Sequence, residues 1–164
     1  SAPLDENAVP SKFGASDVQD LNWVQLLNAY TCTECGRCTS VCPANITGKK
    51  LSPRKIMMDT RDRLQEVGNN IDANKGIFVP DNKSLLNDYI TPEELWACTS
   101  CNACVEECPV NISPLSIIMD MRRYLVMEQS AAPTTLNAMM SNVENNGAPW
   151  PYNQQDRLNW KDEN

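Results

Sequence analysis

Apolar residues in this chain recur at helical spacing. Leu21, Trp23, Val24, Leu27 and Tyr30 predict a helix over 20–30, and Ile117, Met121, Tyr124 and Leu125 follow one another at i, i+4, i+7 and i+8. Start signals agree with this period. Ser52-Pro53 and Ser113-Pro114 each place a hydroxyl N-cap before a first-turn proline, and Thr91-Pro92-Glu93-Glu94 reads as a capping box leading into Leu95-Trp96-Ala97. Strand-like alternation is nearly absent. The stretch from Gly68 to Leu86 is polar and turn-rich and is expected to be an irregular connector. Residues 1–15 and 145–164 have the Pro, Asn and Asp content of arms, although Trp150, Tyr152 and Trp160 suggest that the tail docks.

A repeat organises these elements. Cys32-Thr-Glu-Cys35-Gly-Arg-Cys38-Thr-Ser-Val-Cys42-Pro43 returns 66 residues later as Cys98-Thr-Ser-Cys101-Asn-Ala-Cys104-Val-Glu-Glu-Cys108-Pro109. The likeness continues past the prolines at a register of 61: Ser52-Pro53, Ile56, Asp59, Arg61 and Leu64 answer Ser113-Pro114, Ile117, Asp120, Arg122 and Leu125. The first copy therefore holds five extra residues around Thr47 to Leu51. Each cysteine motif is expected between a helix before it and a helix after it.

Composition narrows what such a repeat can do. The chain has 164 residues, 8 Cys and no His, and cysteines inflate an apolar fraction of only 41 %, so a source of stability beyond the hydrophobic core is expected. The lack of His removes Ser-His-Asp and Cys-His catalysis, imidazole-ligated zinc, Rieske clusters and His-ligated haem. A net charge of −7 argues against nucleic acid and against anionic membrane surfaces as partners. No apolar run is long enough to span a bilayer, and no basic-then-apolar secretory segment is visible. A cytoplasmic setting is therefore expected. The chain begins at Ser1 rather than Met, which suggests processing or excision from a longer protein.

All eight cysteines lie in the two motifs. Three cysteines at spacing three, then a fourth before Pro, form the ferredoxin-like run that caps three corners of one 4Fe-4S cube and sends the fourth thiolate to the other. On that logic Cys32, Cys35, Cys38 and Cys108 hold one cluster, and Cys98, Cys101, Cys104 and Cys42 hold the second. Two four-thiolate zinc sites are the rival reading, but structural zinc usually takes separated Cys-x-x-Cys knuckles. Disulfides fit poorly because cysteines three apart pair badly. A disulfide reductase using one cluster directly is a further alternative, although it needs a spare thiol or an open iron.

The duplicated motif with its intervening helices resembles the α-helical ferredoxin type of 4Fe-4S dicluster domain. That domain occurs in the small subunit of heterodisulfide reductase, in iron-sulfur subunits of anaerobic glycerol-3-phosphate dehydrogenase and glycolate oxidase, and in the carboxy-terminal half of succinate dehydrogenase iron-sulfur subunits. The match covers about residues 17–128. Phe13-Gly14-Ala15-Ser16-Asp17 with Trp23, and Asn145-Asn146-Gly147-Ala148-Pro149-Trp150 with Asp156, Arg157 and Trp160, are similar to heterodisulfide-reductase-related oxidoreductases.

The resemblance implies a mainly α fold with two cysteine-rich cluster-binding loops, an arm over 1–15, the dicluster domain over 16–130, and a carboxy-terminal helix and linker tail over 131–164. It implies an electron-transfer module carrying two 4Fe-4S clusters, with no catalytic residue of its own expected. The partners it implies are a redox protein, or fused Cys-Cys-Gly reductase and membrane domains holding it at the cytoplasmic face. This chain has no Cys-Cys dipeptide, so the resemblance lends it no substrate.

Neighbouring residues take structural readings first. Tyr30 and Trp96, each two positions before the first Cys of a motif, are expected in the core rather than as cluster screens. The methionines are expected as core filling. Lys49, Lys50, Arg54 and Lys55 are expected to form a solvated helix face rather than a docking patch.

Overall fold

A computed structural model describes residues 12–162 of the chain. The described residues fall into two compact units, parted between Gln129 and Ser130. In the first unit, a 3-10 turn at Val18–Asp20 leads into α1 (Trp23–Thr31), two one-turn helices α2 (Arg37–Ser40) and α3 (Pro43–Ile46), and the long α4 (Pro53–Ala73). A wide turn at Leu85–Tyr89 then precedes α5 (Pro92–Ala97), α6 (Ala103–Glu106) and α7 (Pro114–Met127). The second unit holds α8 (Thr134–Asn146) and a 3-10 segment, Gln154–Lys161. No strand forms among the described residues, in keeping with the mainly α expectation.

The helices begin where their caps demand. Ser52 Oγ accepts from Lys55 N and Ser113 Oγ from Ser116 N, at 3.3 and 3.2 Å, and Pro53 and Pro114 open the first turns. Thr91 and Glu94 close a reciprocal capping box. Helix α1 has an equivalent box between Asn22 and Gln25, which the Ser/Thr-Glu pattern does not flag because both partners are amides.

The expected connector is shorter than the sequence suggests. Helix α4 continues through Gly68 to Ala73, because Val67 is buried and Ile71 packs on the core one turn later, extending the apolar stripe. Gly68 itself faces open space, so its cost is one of propensity alone.

Helix α4 is the axle of the first unit and packs against both α1 and α7. Ile56 and Met57 from α4 meet Ile117, Ile118, Met121 and Leu125 from α7 in a core completed by Leu85, Leu86, Ile90 and Leu95. Met57 and Met121 fill this core, but Met119, Met127 and Met139 are exposed, so core filling describes only part of the methionine set. Tyr30 is exposed as well, at the end of a helix whose outer side carries Trp23, Val24 and Leu27 in contact with water.

Two polar devices join the amino-terminal segment to this core. Arg63, on α4 and fully buried, binds Asp17, Asp81 and the Lys83 carbonyl oxygen, tying three separate stretches together. Gly14, at φ +77°, lies so close to α7 that a Cβ there would overlap the Asp120 carbonyl oxygen and the Tyr124 backbone, while Ala15 N donates to Asp120 O at 3.0 Å. Residues 12–15 are thus packed against the domain. Most of the arm expected over 1–15 lies outside the described residues.

Candidate metal centre

The two cysteine motifs fold the same way. Each leaves a helix end, α1 or α5, through an extended cysteine, Cys32 or Cys98. Glu34 and Ser100 then take positive φ (57° each), and so do Gly36 (81°) and Asn102 (62°). Alternating left-handed residues turn successive amide N–H groups inward, the concave arrangement that suits an anion. Asn serves in the second copy where Gly serves in the first, because its short polar side chain tolerates the left-handed region.

The thiols respond to these amides in matching pairs. The backbone N–H of Arg37 lowers the pKa of the exposed Cys35 thiol, and that of Ala103 does the same for Cys101. Burial raises the pKa of the third cysteine in each loop, Cys38 and Cys104, the latter to about 11 with Cys98, Cys38 and Cys42 nearby adding repulsion. A neutral protein interior disfavours such clustered thiolates, and cations bound among them remove that cost.

The one-turn helices α2 and α6 pack against each other and bring the loops together around two cavities. The first is lined by Cys32, Cys35, Cys38, Cys104 and Cys108. The second is lined by Cys98, Cys101, Cys104 and Cys42. The first cavity thus gathers three cysteines from the first motif and two from the second, the second cavity gathers three from the second motif and one from the first, and Cys104 lines both. The remaining walls are largely apolar: Met57, Val110 and Ile112 in the first, Leu51, Leu115 and Ile118 in the second. Prolines on both sides, Pro109 and Pro114 in one cavity and Pro43 and Pro53 in the other, limit backbone movement around the thiols.

Arginines from the helices that follow brace the loops. Arg122 on α7 donates to the Leu95 carbonyl from Nε at 2.9 Å and to the Cys98 carbonyl from Nη2 at 2.5 Å. Its guanidinium also lies 4.9 Å from the Trp96 ring centroid. Trp96 is therefore a half-buried platform under a cation, and its Nε1 is buried with no hydrogen-bond partner in the structure. Arg61, at the equivalent place in the first copy, instead pairs with Glu34 at 2.6 Å. The basic residues of the first copy are mostly engaged too: Lys50 with Glu93, and Lys55 with Asp59, Glu94 and the Tyr89 carbonyl. Arg54 is exposed like Lys49, Lys50 and Lys55, in keeping with a solvated face, and it also lines the first cavity.

Comparison with known proteins gives this geometry its relatives. Residues 31–112 match the 4Fe-4S dicluster domain. The chain is 36 % identical, over 92 % of its length, to a probable iron-sulfur-binding oxidoreductase FadF of Bacillus subtilis, of which it covers 25 %. It is 33 % identical over 96 % of its length to a probable membrane-anchored ferredoxin of Chromohalobacter salexigens, again covering 25 % of that protein. Over 65 % of the chain it is 32 % identical to one of the subunits of a ferredoxin/F(420)H(2)-dependent CoB-CoM heterodisulfide reductase of Methanosarcina acetivorans, and covers 52 % of that subunit's length. The chain spans about a quarter of the length of the first two of these relatives. Its eight cysteines and paired cavities suit two 4Fe-4S clusters, and no helix among the described residues is long and apolar enough to cross a membrane. The chain belongs to the 4Fe-4S dicluster domain family and is an iron-sulfur electron-transfer domain related to heterodisulfide reductase subunits.

Proposed function

We propose that Cys32, Cys35, Cys38 and Cys108 ligate one 4Fe-4S cluster and Cys98, Cys101, Cys104 and Cys42 the other, within a segment of a larger heterodisulfide-reductase-like oxidoreductase. The observation that carries this reading is the lining of the two cavities: Cys108 of the second motif joins Cys32, Cys35 and Cys38 in the first, Cys42 of the first motif joins Cys98, Cys101 and Cys104 in the second, and Cys104 lines both. When bound, the clusters supply reversible one-electron storage. The protein's part is to hold the thiolates, direct loop amides toward them, and flank them with apolar and proline walls.

The electron-carrying part is residues 16–130, with 1–15 an arm and 131–164 a linking tail. Electrons pass between redox proteins, or between Cys-Cys-Gly reductase and membrane domains of the same polypeptide, at the cytoplasmic face of the membrane. Two observations support this setting: the Bacillus relative is about four times as long as the matching stretch, and another relative bears the name of a membrane-anchored ferredoxin. The chain's net charge of −7 suits a basic docking face on the partner.

Anaerobic purification with iron and sulfide analysis tests the reading, the expected content being about eight of each per chain. Cys42→Ala should then damage the cluster of Cys98, Cys101 and Cys104 and spare the other, seen by EPR after reduction. Damage confined to the Cys32 loop overturns the crossed assignment.

A further inference from the structure

The two copies of the repeat are alike in backbone and unlike in charge. At the 61-residue register Arg54 corresponds to Leu115, and each lines the cavity of its own copy. The Arg54 guanidinium reaches the first loop itself: Nη1 lies 3.8 Å from where a Cβ on Gly36 would stand, between Cys35 and Cys38. No carboxylate among the described residues pairs with it. Glu34 also lines this cavity, but Arg61 neutralises it at 2.6 Å. Arg122 is the opposing charge. It is outside the lining of the second cavity, and its guanidinium is bonded to the Leu95 and Cys98 carbonyls.

Reduction adds one negative charge to a cluster, so a cation against the cavity favours the reduced form and raises the potential, whereas an apolar wall does not. We infer that Arg54 makes the site of Cys32, Cys35, Cys38 and Cys108 the higher-potential site of the two. In the protein reduced by a single electron, that electron resides there, and the site of Cys98, Cys101, Cys104 and Cys42 stays oxidised; no proton is required. Arg54 acts as a tuning residue, bonded to no thiol. The inference rests on the ligand assignment proposed above.

The test is an EPR-monitored redox titration of the full chain with both clusters loaded, which reads two one-electron midpoints. Arg54→Leu, which gives the first cavity the wall of the second, should lower the higher midpoint by about a tenfold change in its reduction equilibrium, about 59 mV for one electron, and leave the lower one in place. Arg54→Lys should keep most of the original value. Leu115→Arg should raise the lower midpoint, and it carries the test alone should Arg54→Leu fail to retain its clusters. Unchanged midpoints, or a shift of the lower one alone in Arg54→Leu, overturn the inference. Failure of the unsubstituted chain to load about eight iron would instead count against the ligand assignment.

Discussion

Arg63 meets Asp17 through two parallel hydrogen bonds, Nε to Oδ1 at 3.1 Å and Nη2 to Oδ2 at 2.8 Å, with the arginine fully buried. Asp17 Oδ1 also accepts from the backbone N–H groups of Val18 and Leu85, so one carboxylate joins α4, the amino-terminal turn and the segment before α5. Removing one member of a buried charged pair costs about 3 kcal/mol or more, because the other is left uncompensated. Arg63→Met is expected to lose that much in denaturant unfolding of the loaded protein, with cluster content unchanged under native conditions.

The same arginine sets an acid limit. It holds the Asp81 pKa at about 2, below the usual 3.8, so the ionised carboxylate is favoured in the folded chain. Stability from this pair is complete above about pH 4 and is lost as the pH falls toward 2. Asp81→Asn is therefore expected to be less stable than the unsubstituted protein near neutrality, with the gap closing through this window. A gap that stayed constant from about pH 6 to about pH 3 would show that the ionised form of Asp81 contributes nothing.

Gly14 is required for two separate reasons, its positive φ and its contact with the α7 backbone. Gly14→Ala should cost at least about 2 kcal/mol, since it adds left-handed strain to a backbone overlap. Thermal unfolding of this variant beside Gly68→Ala provides the contrast: Gly68 is helical with open space around it, and there alanine should stabilise by up to about 1 kcal/mol.

Arg122→Met is expected to loosen the second loop. It leaves the Cys98 carbonyl without its donor and the Leu95 carbonyl with the Cys98 N–H alone, a loss of about 1 to 3 kcal/mol for a partly buried acceptor. Faster loss of one cluster to a chelator, with the other retained, is the expected signature. Equal loss of both would mean that Arg122 supports the fold at large.

Much of this molecule is legible in the residues because its signals are local. Ser52, Ser113 and Thr91 mark helix starts through side chains that bond within one turn, and the cysteine spacing is preserved in the chain itself. What stays hidden depends on partners distant in sequence. Nothing near Arg63 indicates that Asp17 and Asp81 will surround it, and while Lys49, Lys50, Arg54 and Lys55 are the wet face they look like, the run does not reveal that Arg54 also borders the first cavity. Gly68 looks like an end to α4 because glycine is a poor helix former, but the burial of Val67 and Ile71 outweighs that local cost. Tyr30 and Trp96 occupy equivalent places yet differ in burial, because only the second has Arg122 stacked on it.

Each cavity draws cysteines from both motifs, and this bears on the molecule's history. A single copy of the motif, standing alone, would present three thiols around an incomplete hollow and a fourth directed away from it. The duplication is consequently no longer a pair of interchangeable parts: neither half can be dropped, transplanted or separated at the connector without dismantling the other. The copies differ in loop residues, in length and in their walls, where one has a charge and the other a methyl-rich surface, while the eight sulfurs keep their places.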